Sequence, residues 1–126
     1  MKLTFKGGIH PYEGKELTMD KDVIEYVPKG DMVYPLSQHI GAPAKAVVKK
    51  GDRVLVGQLI AEAGGFVSAN IHSSVSGTVK AVEPRLTASG SKVNSIVIEN
   101  DNQFEEIEYV KNDKPLAELN REEILE

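Results

Sequence analysis

Three histidines, His10, His39 and His72, carry imidazole, the side chain best suited here to holding a transition metal. No two of them stand in an HxH or HxxxH spacing, and no carboxylate lies at a ligand-like separation. A metal site would therefore need the fold to gather them from distant turns. Otherwise each is a turn or core histidine holding a backbone group. His72-Ser73-Ser74 with Ser76 sets hydroxyls beside a base, the ingredients of a nucleophile. No G-x-S-x-G elbow accompanies them, and serines in turns bond their own backbone instead. Glu13, Glu16, Asp20 and Asp22 form an acidic cluster without the alternating spacing of a calcium loop, which reads as a solvated face. Lys6-Gly7-Gly8 has the composition of a phosphate cradle, but no helix follows it, so a tight turn is expected.

Phe66 follows Gly64-Gly65, and two readings of it stay open. An aromatic at an exposed hairpin flanked by small residues can anchor a partner surface, or it can cap a sandwich core. Phe66, His39 and His72 are the residues singled out for partner docking, and no residue is singled out for catalysis, cofactor binding or metal binding.

Bulk properties narrow the partners. The chain has 126 residues, one domain by length, and is 40% hydrophobic and 27% charged, as ordinary globular proteins are. A net charge of −4 without a basic stripe argues against nucleic acid. No apolar run approaches a membrane span, and MKLTFKGGIHP lacks the apolar centre of a signal peptide, so a cytoplasmic, soluble chain is expected. The absence of cysteine removes disulfides, thiolate nucleophiles and cysteine-held zinc or iron–sulfur clusters.

The elements that must position these residues are β-strands. From Gln38 to Glu83, short runs rich in Val and Ile (Ala46–Val48, Val54–Val56, Leu59–Ala63, Thr78–Val82) alternate with turns at Gly51-Asp52, Gly57-Gln58, Gly64-Gly65 and Ser76-Gly77. This is the punctuation of an all-β sandwich or barrel. Upstream, Leu3 and Phe5 alternate with polar residues as in a half-buried strand. Tyr12 to Asp22 reads as a loop, and Val23–Val27 as a strand stopped at Pro28–Asp31. Pro35 makes Met32–Leu36 an edge strand, because proline cannot donate to a central ladder. Gly41–Glu62 is weakly echoed by Gly77–Glu99, two half-units that must share one core. Arg85 to Lys92 is expected to be a loop and Val93–Ile98 a central strand. Phe104, Ile107 and Tyr109 mark one more strand or an irregular arm. Asn120 followed by Arg-Glu-Glu caps a short helix. A helix so short is not stable alone, so the sequence is expected to be an excised piece: a domain over residues 1–110, then a linker and helix start over 111–126.

GDRVLVGQLIAEA resembles the half-repeat of biotinyl and lipoyl carrier domains, which implies a barrel-sandwich hybrid. In those carriers the following hairpin presents a lysine that is acylated. Here the hairpin reads Glu62-Ala63-Gly64-Gly65-Phe66, and Gly65 stands where the lysine should be. Glycine has no amine to acylate. An acyl carrier modified instead at Lys50 or Lys80 remains an alternative.

A more specific resemblance rests on four ordered motifs: KGGIHP at Lys6–Pro11, PLSQHIGAPA at Pro35–Ala44, GDRVLVGQ at Gly51–Gln58 and GFVSANIHSSVSGTV at Gly65–Val79. Together they look like the amino-terminal region of the C subunit of the Rnf (Rsx) electron transport complex, over nearly the whole chain to about Val82. The resemblance implies a peripheral subunit, on the cytoplasmic side of the cell membrane, of a complex that moves electrons between ferredoxin and NAD and couples this to ion translocation. It also implies [4Fe–4S] clusters and an FMN- and NADH-binding domain elsewhere in the parent polypeptide. These residues contain neither cysteine nor a G-x-G-x-x-G fingerprint, so no cofactor is expected in them. The expected role is structural, packing on the redox domain of the same chain or docking other subunits. The A subunit of the sodium-translocating NADH:quinone reductase, which has a related amino-terminal domain, is the alternative family.

Overall fold

A computed structural model describes residues 7, 11–109 and 114–125. The strand expected around Leu3 and Phe5, and His10, lie outside the described residues. The chain builds β1 (Met32–Pro35), β2 (Lys45–Ala46), β3 (Arg53–Val54), β4 (Leu59–Glu62), β5 (Ile71–His72), β6 (Gly77–Leu86) and β7 (Lys92–Asn100), then a short helix α1 (Arg121–Leu125). All pairings between these strands are antiparallel, in a four-stranded sheet ordered β1-β7-β6-β3 and a three-stranded sheet ordered β2-β4-β5.

One core lies between the sheets. Tyr34, Val54, Val79, Ile96 and Ile98 enter it from the larger sheet, and Ile60, Ala61 and Ile71 from the smaller. Alternation along β7 explains Ile96 and Ile98. It cannot explain why consecutive Ile60 and Ala61 are both fully buried. A bulge does: Leu59 pairs with His72 and Ala61 with Ile71, leaving Ile60 as the extra residue. A second bulge at Lys80, between Val79↔Ile98 and Ala81↔Val97, leaves the lysine exposed, where its ammonium donates to Asp31 Oδ2 at 2.9 Å. The all-β expectation and the edge position of the Pro35 strand hold.

Several expected boundaries do not. Val23–Val27 forms no strand: Val23, Ile24 and Tyr26 are exposed, and no sheet edge supplies their backbone with a ladder. Propensity makes a strand only where a neighbour pairs with it, and Asn100 Nδ2 instead donates to the Pro28 carbonyl at 3.0 Å, pinning only the end of the run. The loop expected over Arg85–Lys92 is present but shorter, since Arg85, Leu86 and Lys92 are strand. β6 continues through Pro84 to Leu86 and β7 begins at Lys92, so the turn is only residues 87–91, closed by Thr87 N–H to the Ser91 carbonyl at 2.9 Å. Pro84 is tolerated because β3 flanks β6 only at Gly77 and Thr78, and beyond them β6 is an edge. The Tyr12–Asp22 loop contains one 3-10 turn, Lys15–Leu17.

Residues 101–109 run as an irregular arm past β3, with one isolated parallel bridge between Val56, just beyond that strand, and Glu106. Asn120 caps α1 as its sequence implies. Its Oδ1 accepts from the N–H groups of Glu122 and Glu123, both at 3.0 Å, while Glu123 Oε2 accepts from the Asn120 N–H at 2.9 Å.

A candidate docking tip at the carrier-type hairpin

Residues 63–70 connect β4 to β5, and residues 37–44 connect β1 to β2. The two loops meet edge to edge. Gly41 and Gly64 allow it: a Cβ on Gly41 would stand 2.0 Å from the Val67 carbonyl oxygen, and one on Gly64 1.9 Å from that of Pro43. Hydrogen bonds then tie the loops together. Ala42 N–H donates to the Val67 carbonyl at 2.9 Å. The Ser68 hydroxyl donates to the Ala42 carbonyl at 2.8 Å and accepts from the Gly64 N–H at 2.9 Å. Asn70 Oδ1 accepts from the Ala63 N–H at 2.9 Å.

His39 belongs to this clamp. Its Nε2 accepts from the Ala69 N–H at 3.2 Å, and its Nδ1 lies 3.2 Å from the Ile40 carbonyl, a pattern satisfied by the neutral ring protonated on Nδ1. It is a turn histidine holding a backbone group, one of the two readings its spacing allowed.

The tip that results is rigid and apolar. Phe66 is 105% exposed, Ile40 89% and Val67 56%. Phe66 therefore does not cap the core; that reading is overturned, because Leu36 and Ala44, at the two ends of the β1–β2 connection, fill the core there and the phenyl ring stays outside. His72 lies on β5 opposite Leu59, exposed, and takes no part in the clamp. Of the three residues singled out for docking, the fold brings His39 and Phe66 to one tip and leaves His72 on the strand below it.

The serines after His72 are committed elsewhere. The Ser73 hydroxyl donates to the Val75 carbonyl at 2.6 Å, Ser74 Oγ meets the Tyr34 hydroxyl at 2.9 Å, and the Ser76 hydroxyl donates to Asp101 Oδ1 at 2.7 Å. None is paired with His72 as a nucleophile with its base. Among the described residues, no group of three or more His, Cys, Asp or Glu side chains is placed to hold a metal ion.

Sequence reasoning missed one polar cluster. Arg53 on β3 bridges Asp101 and Glu105 of the arm, with Nη2 donating to Glu105 Oε2 at 2.7 Å. Asp101 Oδ1 also accepts from the Gln103 N–H at 2.9 Å, and the Glu105 N–H donates to Ser76 Oγ at 3.1 Å. The Ser76 hydroxyl, then the Gln103 amide and the Arg53 guanidinium, hold the Asp101 carboxyl below its usual range, and Glu105 and Asp101 raise Arg53. Both carboxylates bond the one guanidinium, so the cluster fastens the arm to β3. At the same end, Tyr109 lies over Gly57, at the foot of the β4–β5 hairpin and away from its tip.

Comparison with known proteins agrees with this architecture. A family model described as the RnfC barrel sandwich hybrid domain matches residues 3–103. A protein of Acetobacterium woodii, named as the C subunit of a Na(+)-translocating ferredoxin:NAD(+) oxidoreductase complex, is 54% identical over 99 residues, 78% of this chain and 22% of that one. The Clostridium ljungdahlii protein named as the C subunit of a proton-translocating ferredoxin:NAD(+) oxidoreductase complex is 43% identical over 126 residues, 99% of this chain and 27% of its own. The C subunit of an ion-translocating oxidoreductase complex of Rhodobacter capsulatus is 47% identical over 103 residues, 79% of this chain and 20% of its own. The chain thus spans about a quarter or less of the length of these curated relatives. The four motifs and the barrel have the same explanation: the chain belongs to the RnfC barrel sandwich hybrid family, the amino-terminal domain of the C subunit of the Rnf complex.

Proposed function

We propose that the chain is a non-redox docking domain of the C subunit in a membrane-bound, ion-translocating ferredoxin:NAD oxidoreductase complex, peripheral on the cytoplasmic side. The observation that carries the reading is the hairpin: where a carrier domain presents an acylatable lysine, this barrel presents Gly64-Gly65-Phe66 locked in a rigid apolar tip. A carrier needs a reactive amine at that place, and a docking module needs an anchor. Among the described residues no helix is long and apolar enough to cross a membrane, which suits a peripheral part.

The [4Fe–4S] clusters, FMN and NADH of the electron path do not fit the residues present. Thiolates are the ordinary protein ligands of such clusters, and the sequence contains no cysteine and no dinucleotide fingerprint. In this reading electron transfer belongs to the rest of the polypeptide, and the domain positions that machinery against its neighbours. The relatives' names do not favour the quinone reductase alternative.

The test is to delete the domain from the full-length protein and measure two quantities. Iron and flavin per polypeptide should stay unchanged, while co-purification with the membrane subunits is lost. A stoichiometric loss of iron or flavin with assembly intact, or a stoichiometric metal in the purified 126-residue chain, would overturn the reading.

A further inference from the structure

We infer that the tip formed by loops 37–44 and 63–70 inserts into an apolar, uncharged pocket on a different subunit of the complex, with Phe66 as its anchor. The inference rests on the docking reading above and adds which surface docks and what it meets.

The first argument is charge. The sixteen residues of the two loops contain no Asp, Glu, Lys or Arg, where the chain's 27% charged content would place about four. Most of these residues are exposed, so burial in the domain's own core does not explain the depletion. Charge depletion with an aromatic at the centre is the composition of a desolvated interface core. The first charges met on leaving the tip, Lys45 and Glu62, face each other across β2 and β4 and begin a polar rim.

The second argument is rigidity. The loops are in backbone contact at Gly41 and Gly64 and are cross-linked through Ala42, Ser68 and His39, so little conformational entropy is left to lose on binding. The clamp fixes the backbone on either side of Phe66 and presents its phenyl ring to solvent.

Geometry and charge choose the occupant. The arm runs to Tyr109, which lies over Gly57 at the foot of the β4–β5 hairpin, so the tip points away from the end of the arm. A second copy meeting this tip with its own tip would offer a projection, not the concave receptor this one requires. A lipid surface is disfavoured because no lysine or arginine in either loop is available to meet anionic headgroups. What fits is a pocket about the size of a phenyl ring on a neighbouring protein.

The experiment uses the full-length protein in its complex, with Phe66→p-benzoylphenylalanine for photocrosslinking. A covalent product with another subunit is expected. A product with the protein's own chain, with a second copy or with lipid, or no product, would overturn the inference. In parallel, Phe66→Ser and Ile40→Ser should leave the melting temperature unchanged, since both side chains are exposed, and weaken association with the remaining subunits about 30-fold. Phe66→Leu should recover part of that loss. If Phe66→Ser assembles normally while deletion of the domain does not, the tip is not the contact and the docking reading stands; if both assemble normally, both fall.

Discussion

Substituting Gly64→Ala should detach the two loops of the tip without unfolding the barrel. The new methyl group would lie 1.9 Å from the Pro43 carbonyl oxygen, where ordinary contact begins at 3.4 Å, and the obstacle is backbone. The loops must therefore separate by about 1.5 Å. Two bonds cannot follow that movement: Ala42 N–H to the Val67 carbonyl, now 2.9 Å, and the Ser68 hydroxyl to the Ala42 carbonyl, now 2.8 Å. At about 0.5–1.5 kcal/mol each, their loss destabilises the domain by about 2 kcal/mol. For a domain of this size that lowers Tm by about 8 °C. Gly65→Ala is the control, because its methyl would stand 3.2 Å from the Ala42 side-chain methyl, a gap that small adjustments absorb. Thermal unfolding should separate the two variants, and amide hydrogen exchange should show faster exchange at Ala42 and Ala69 in Gly64→Ala with β6 and β7 unchanged. Equal melting temperatures for the two variants, or unchanged exchange at Ala42, would refute the close-approach argument.

Two further outcomes follow from other parts of the molecule. Because its folded carboxyl is held below the ordinary value of 3.8, Asp101 contributes stability that is present above that value and lost as pH falls through the folded one; Asp101→Asn should lower stability at neutral pH and flatten the acid limb of a stability–pH curve measured by urea unfolding, and an unchanged curve would remove the arm-fastening role. Incubation with a biotin or lipoyl ligase should leave the intact mass unchanged, because Gly65 offers no amine; an added prosthetic mass at Lys50 or Lys80 would restore the carrier reading.

The β architecture was readable because its punctuation is local: a glycine at each turn and Val or Ile between turns need no knowledge of the partner strand. What depends on the partner was not readable. Val23–Val27 has as much β propensity as β1, yet only β1 finds an edge, on β7. Adjacent burial of Ile60 and Ala61 follows from a bulge that appears only once β4 meets β5. The sequence favoured Phe66 in the core, and the decision lies instead with loop 37–44, which meets the hairpin and leaves the ring outside. Arg53 and Asp101 are 48 positions apart, and no periodicity links them.

The pairing of β1 with β7 also sets an order of events in folding. β6 and β7 are joined by five residues and can zip locally, on the microsecond scale of hairpins. β3 can then add to one side of that hairpin. β1 adds to the other, and Met32 must travel to Ile98 to do so. Such a long-range closure is slow. A chain leaving the ribosome exposes Met32–Pro35 long before Lys92–Asn100 exists, and for that interval the segment is an unpaired edge, open to mispairing with other nascent chains. Pro35 shortens the ladder such a misalliance could form. The residue that terminates the edge of the finished sheet thereby protects the chain while it is still being made.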